Sequence, residues 1–137
     1  MIRNVRIVDV TIERDAAAVY AFASRPETMP LWASGLASGL VPAGDHWIAT
    51  GPLGIARIVF TPENSLGVLD HTVILETGET TYNAFRVTPN GDNGAVVVFT
   101  VLQQPGADEE SFRRDADWVR KDLMQLKSIL EAMPPEA

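Results

Sequence analysis

The chain predicts an α+β domain in which a curved antiparallel sheet is crossed by one long C-terminal helix, and three observations carry that reading. Short segments of period-two alternation recur between Val5 and Gln103. Turns containing Gly, Pro or Asn separate them. Beyond Gly106 the apolar spacing switches to three and four, the signature of an amphipathic helix.

Val5 to Glu13 opens as a strand, with Val8, Val10 and Ile12 alternating against Asp9 and Thr11. Asp15 is placed to cap a short helix, Ala16 to Ser24. Pro26 begins a second, irregular one that runs toward Trp32 through Pro30. Six further strands follow at Leu36–Val41, His46–Thr50, Ile55–Thr61, Val68–Thr77, Thr80–Thr88 and Ala95–Gln103, which makes seven. Their short connections predict antiparallel neighbours. Asp108 then caps the last helix, with Glu109 and Glu110 at the positive end of its dipole. Phe112, Ala116, Val119, Leu123, Leu126, Leu130 and Met133 form a continuous apolar stripe, and Pro134-Pro135 stops it. Such a helix is about 37 Å long, enough to cross the sheet.

A length of 137 residues and 46% hydrophobic content fit one domain, residues 1–137, with a substantial core. Cysteine is absent, which excludes disulfides, thiolate metal sites and a thiol nucleophile. The two histidines, His46 and His71, are too few for a histidine-rich metal site, and no metal or cofactor is expected. Eleven basic residues scattered among 18 acidic ones give a net charge of −7, the wrong balance for nucleic acid. No apolar run reaches the roughly 20 residues of a membrane span, and the N-terminus does not read as a signal peptide. A cytoplasmic protein is the expectation.

Registering the hairpins decides which side chains face inward. A turn centred on Gly78 sets His71 opposite Phe85, Val73 opposite Asn83 and Leu69 opposite Val87. A four-residue turn at Pro62–Ser65 sets His71 opposite Ala56 and Leu69 opposite Ile58. Asp70 then falls between Arg57 and Arg86 on the outer face, an exposed charge ladder worth about 1 kcal/mol or less per pair. His71 falls on the buried face beside Ala56 and Phe85. The commoner role of such a histidine is a satisfied core residue, but a small neighbour leaves room beside an imidazole. Asn83 and Gln103, the latter sharing the parity of Val97, Phe99 and Val101, are also expected to point inward. Trp32, Trp47 and Trp118 are candidate walls of the same cavity, with Trp118 at the edge of the helix stripe; their ordinary role is core or rim packing. Asp115 and Asp122 flank the stripe as surface acids, Asp122 being the candidate partner for an inward donor.

These residues resemble a known family. Val10-Thr11-Ile12 leading into Ala17-Ala18-Val19-Tyr20-Ala21-Phe22, then Pro26-Glu27 and Trp32, is similar to the opening of START-like (SRPBCC) domains. Gly67-Val68-Leu69-Asp70-His71, the Arg86–Gly91 turn, Val97-Val98-Phe99-Thr100 and Trp118–Leu123 resemble the polyketide cyclase/dehydrase-like branch. The resemblance implies a helix-grip fold: two short helices between the first two strands, a curved seven-stranded sheet and a long helix over it. It also implies a cavity for lipids or polyketide-like molecules.

Two functional classes follow, with a third outside them. A binding module for a small apolar or aromatic ligand needs only a cavity and a few polar groups. A cyclase or dehydratase would use His71 as general acid or base. An interaction module would act through its surface. Gly51-Pro52-Leu53-Gly54 lacks the Lys-Ser/Thr of a phosphate loop, no Gly-x-Ser-x-Gly elbow exists, and neither histidine sits in a zinc motif. Binding therefore ranks first, with His71, Asn83, Phe85, Ala56, Trp32, Trp47, Phe99, Trp118 and Leu123 as its residues. The apolar outer set Val96, Val98 and Leu102 adds a homodimer expectation.

Overall fold

The computed structural model describes residues 2–36, 39–51 and 54–134, with only the backbone of residue 36. Strand β1 (Val5–Ile12) leads into α1 (Ala16–Ala23), a 3-10 turn (Pro26–Thr28) and the single-turn α2 (Met29–Trp32). Six strands follow: β2 (Leu40–Ala43), β3 (His46–Gly51), β4 (Gly54–Phe60), β5 (His71–Leu75), β6 (Thr80–Asn90) and β7 (Gly94–Leu102). The long helix α3 spans Glu109–Ala132. All neighbours are antiparallel in the order β1-β7-β6-β5-β4-β3-β2, so the first and last strands pair and α1 and α2 bridge to the far edge. This is the helix-grip α+β architecture. The expected strand Leu36–Val41 is replaced by a 3-10 turn at Ser34–Leu36 and by β2, with Ala37 and Ser38 outside the described residues. Pro52, Leu53 and the stop at Pro135 lie outside them as well.

Both caps form as their residues dictate. Asp15 accepts from the Ala18 N–H and Asp108 from the Ser111 N–H, each satisfying a donor that the helix start leaves open. Phe112, Ala116, Leu123, Leu126 and Leu130 of the α3 stripe are buried against Val8, Val10, Ile12, Val97 and Val101. Val119 is only half-buried and Met133 is exposed.

The strand registers differ from expectation by even steps, so the faces hold while the partners change. His71 lies opposite Asn83, not Phe85, because the β5–β6 loop is shorter than a turn centred on Gly78. Leu75 closes directly on Glu79, with Gly78 at φ +90°, the left-handed residue that ends a three-residue hairpin loop. On the other side His71 lies opposite Phe60, and Ala56 lies opposite Leu75. The β4–β5 connection is longer than four residues because the Asn64 side chain staples it. Its amide donates to the Pro62 and Val68 carbonyls and accepts from the Leu66 and Val68 N–H groups.

Strand β5 is also shorter than Val68–Thr77, since the ladder breaks at Asp70. Only an isolated bridge, Val68 to Arg86, precedes His71. Between them the Asp70 carboxylate accepts the Phe85 N–H at 2.8 Å. The exposed ladder is therefore corrected: Asp70 is 1% exposed, Arg86 donates to it at 2.9 Å, and Arg57 lies opposite Ile48 and Ile74 instead. Tyr82, on the outer face, also donates to it.

Candidate functional site

The space beneath α3 is set by side-chain size. On the concave face β3 and β4 place Ala49 opposite Ala56 and Gly51 opposite Gly54. Four positions with one carbon or none beyond the backbone cannot reach the helix. Above them α3 turns Asp115, Trp118 and Val119 toward the gap. The result is an open recess of about 600 Å³, bordered also by Gly35, Leu75, Asn83, Phe99, Val101, Leu102 and Gln104. Val119 is the one stripe residue between Phe112 and Leu130 that is not buried, and it marks where the helix parts from the sheet.

A second recess, of about 350 Å³, lies toward α1 and is lined by Tyr20, Met29, Phe60, Leu69, His71 and Phe85 among others. The aromatic cluster Phe60, His71, Phe85 and Phe99 lies between the two, with ring centroids 5.5 to 6.4 Å apart. His71 thus borders the smaller recess and Asn83 the larger, and the two side chains meet at 3.3 Å.

The hydrogen bonds identify the His71 tautomer. Its Nδ1 lies 3.2 Å from the Leu69 carbonyl, which only an N–H can face favourably. That carbonyl is free because Asp70 has taken the Phe85 N–H it would otherwise accept. Burial holds the imidazole below its ordinary pKa, against the raising effect of the Leu69 carbonyl and Asp70, so it is neutral at pH 7. Nε2 is then a bare acceptor, and Asn83 must offer it the amide N–H₂. The Asn83 carbonyl oxygen, which accepts no hydrogen bond among the described residues, is left for the larger recess.

Carboxylates show the same interplay of burial and partners. Burial raises the Asp70 carboxyl, but Arg86, Tyr82 and the Phe85 N–H outweigh it and hold its pKa at about 2. Partial burial raises Asp115, which Arg114 offsets, and Asp115 has no hydrogen bond or ion pair among the described residues. Burial also raises Asp122, against the Ser34 N–H and hydroxyl, which donate to it at 3.2 and 2.8 Å. Asp122 therefore pins the segment after α2 and does not meet an inward donor.

Of the residues expected to form one site, Ala56, Asn83, Phe99 and Trp118 line the larger recess, while His71 and Phe85 line the smaller. Trp32, Trp47 and Leu123 line neither. Trp32 packs on Phe85 at 5.7 Å in the core, Leu123 is fully buried, and Trp47 faces inward beside Pro42 and Ile58 toward the far edge. Gln103 bonds Asn4 and Ala107, and its neighbour Gln104 turns to the recess and accepts from Thr81. Ala49, Gly51, Gly54 and Asp115 were missed. The run of small residues at alternate positions of β3 and β4 was the available signal, obscured without the correct register.

Fold and recess together define an α+β helix-grip protein with a hollow between sheet and terminal helix. No family model matches the chain, and no curated protein matches it. Solved structures do. An uncharacterised protein from Bacillus thuringiensis superposes with a TM-score of 0.75 at 12% identity, covering 93% of this chain and 98% of that one. A START superfamily protein from Mycobacterium smegmatis gives 0.67 at 12%, covering 93% and 97%. Truncated norcoclaurine synthase from Thalictrum flavum gives 0.68 at 11%, covering 98% of each. The chain has the START-like fold.

Proposed function

We propose that this chain binds a small, largely apolar or aromatic molecule, lipid- or polyketide-like in character, in the recess between α3 and the sheet. The observation that supports it is the floor of Ala49, Gly51, Gly54 and Ala56 beneath Trp118 and Val119, with one directional acceptor, the Asn83 carbonyl, at its side. A volume of about 600 Å³ suits a molecule of drug-like size. The test is a titration with naphthylethanol, a neutral apolar probe, read by tryptophan fluorescence. Binding to the native chain and its loss in Ala56→Trp, at unchanged circular dichroism, is the expected result; equal binding by both proteins sinks the reading.

The alternative, His71 as a general acid or base in a cyclase or dehydratase, has a specific point in its favour: the ring is neutral and its tautomer is imposed. Against it, Nε2 already faces Asn83, and the ring borders the smaller recess. His71→Ala that leaves ligand affinity within a few-fold supports binding, whereas a roughly 10²–10⁴ loss of a measured rate supports catalysis. An interaction module predicts that naphthylethanol does not bind at all. For the outer face, where Val5 and Ile7 are half-exposed on the strand beside Val96 and Val98, with Leu102 at the rim of the recess, the proposal is a homodimer. Its test is a change in solution mass on Val98→Lys. No described helix is long and apolar enough to cross a membrane, and a cytoplasmic setting is proposed, with cell fractionation as its check.

A further inference from the structure

Charge distinguishes the larger recess from three other hollows formed by the described residues. The smaller recess has Arg25 in its wall, a groove beside α1 has Arg14 and Arg25, and a cleft between β1 and α3 has Arg6, Arg113 and Arg120. Among the described residues lining the larger recess there is no Lys, Arg or His, and the one ionisable side chain is Asp115. The nearest residues in sequence outside the described set, Ala37, Ser38, Pro52 and Leu53, bring no charge either. Asp115 makes no ion pair there, and its neighbour Arg114 donates to the Ser111 hydroxyl on the same helix.

One helical turn along, Trp118 is 56% exposed, a large ring left in water at the same mouth. A carboxylate and an indole three residues apart on one helix face form a pair that favours a cation: the first by charge, the second through the negative face of its ring. Deeper in, the Asn83 carbonyl adds a third group with negative potential. A carboxylate ligand would meet the Asp115 carboxylate at the entrance, with no Lys, Arg or His among the described lining residues to pair with it.

We infer that the recess selects an organic amine, a protonated nitrogen on an aromatic or aliphatic body, with the cation held at Asp115 and Trp118 and the body over the small-residue floor. This rests on the recess being the binding site, and names the chemical class that fits it.

The test compares three ligands with one body: naphthylethylamine, naphthylethanol and naphthylpropionate, titrated by calorimetry at low salt. The amine is expected to bind up to roughly fivefold tighter than the alcohol and the carboxylate weakest of the three, the order that one partly exposed charge pair produces. Asp115→Asn, on an exposed helix position, should bring the amine to the level of the alcohol and leave the alcohol unchanged. Ala56→Trp, or Ala49→Leu should the first not fold, should abolish binding of both. Equal or tighter binding of the carboxylate, an amine affinity indifferent to Asp115→Asn, or amine binding that survives filling of the recess each overturns the inference. If the alcohol binds and is lost on filling while the amine has no advantage, the recess is a binding site and only the amine preference falls. If none of the three binds, both readings fall together.

Discussion

Two parts of one concave face behave in opposite ways under the same helix. Under the C-terminal half of α3, Leu123, Leu126 and Leu130 close on Val8, Val10, Ile12 and Val97 with almost no exposed surface. Beside its N-terminal half, where Phe112 and Ala116 still pack into the core, Val119 and Trp118 face alanines and glycines across about 600 Å³. Backbone curvature is shared by both. What separates core from hollow is the size of the residues that the strands present, large on β1 and β7 and small where Ala49 faces Ala56 and Gly51 faces Gly54 on β3 and β4.

That contrast breaks most strongly where packing is complete. Leu126→Ala should cost about 3–4 kcal/mol, read as a shift in the denaturant midpoint, because a fully buried leucine loses both transfer free energy and its neighbours' contacts. Ala56→Leu, its counterpart in the hollow, should change stability by less than about 1 kcal/mol while weakening binding of naphthylethanol severalfold. Comparable destabilisation by the two would mean that the recess is packed in solution.

Asp70→Ala should cost about 3 kcal/mol, since it orphans the Phe85 N–H and leaves Arg86 and Tyr82 without their partner. Acid titration dissects the same region. A carboxyl held at about 2 contributes stability that is fully present above its unfolded pKa, near 4, and is lost as pH falls toward 2. That loss should amount to about 2 kcal/mol and vanish in Asp70→Asn. His71, whose folded pKa is lowered, adds a separate decline that begins as pH drops below about 6.5, because the unfolded chain takes up the proton first. His71→Phe should remove that decline and leave the acid limb below pH 4 in place.

The faces were legible in the sequence and the registers were not, for a physical reason. Alternation reports parity, and both hairpin errors were even, so His71, Asn83, Phe85 and Phe99 came out on the inner face although His71's partners changed. Loop length is decided by individual residues: Gly78 shortens one loop, and Asn64 stabilises a longer one by bonding four of its backbone groups. Asp70 was misread because outward parity ordinarily means solvent. Here the carboxylate replaces a ladder carbonyl, an exchange that no periodicity records. The amphipathic stripe of α3 was plain, but the gap in it at Val119 depends on what lies opposite.

Asn83 touches the imidazole with its amide and the hollow with its carbonyl, so the ring nitrogens are wired to whatever fills the space beyond. A guest that pulls on that side chain must lengthen its contact with Nε2. The nitrogen resonances of one histidine therefore serve as an internal gauge of occupancy, read without any label on the guest.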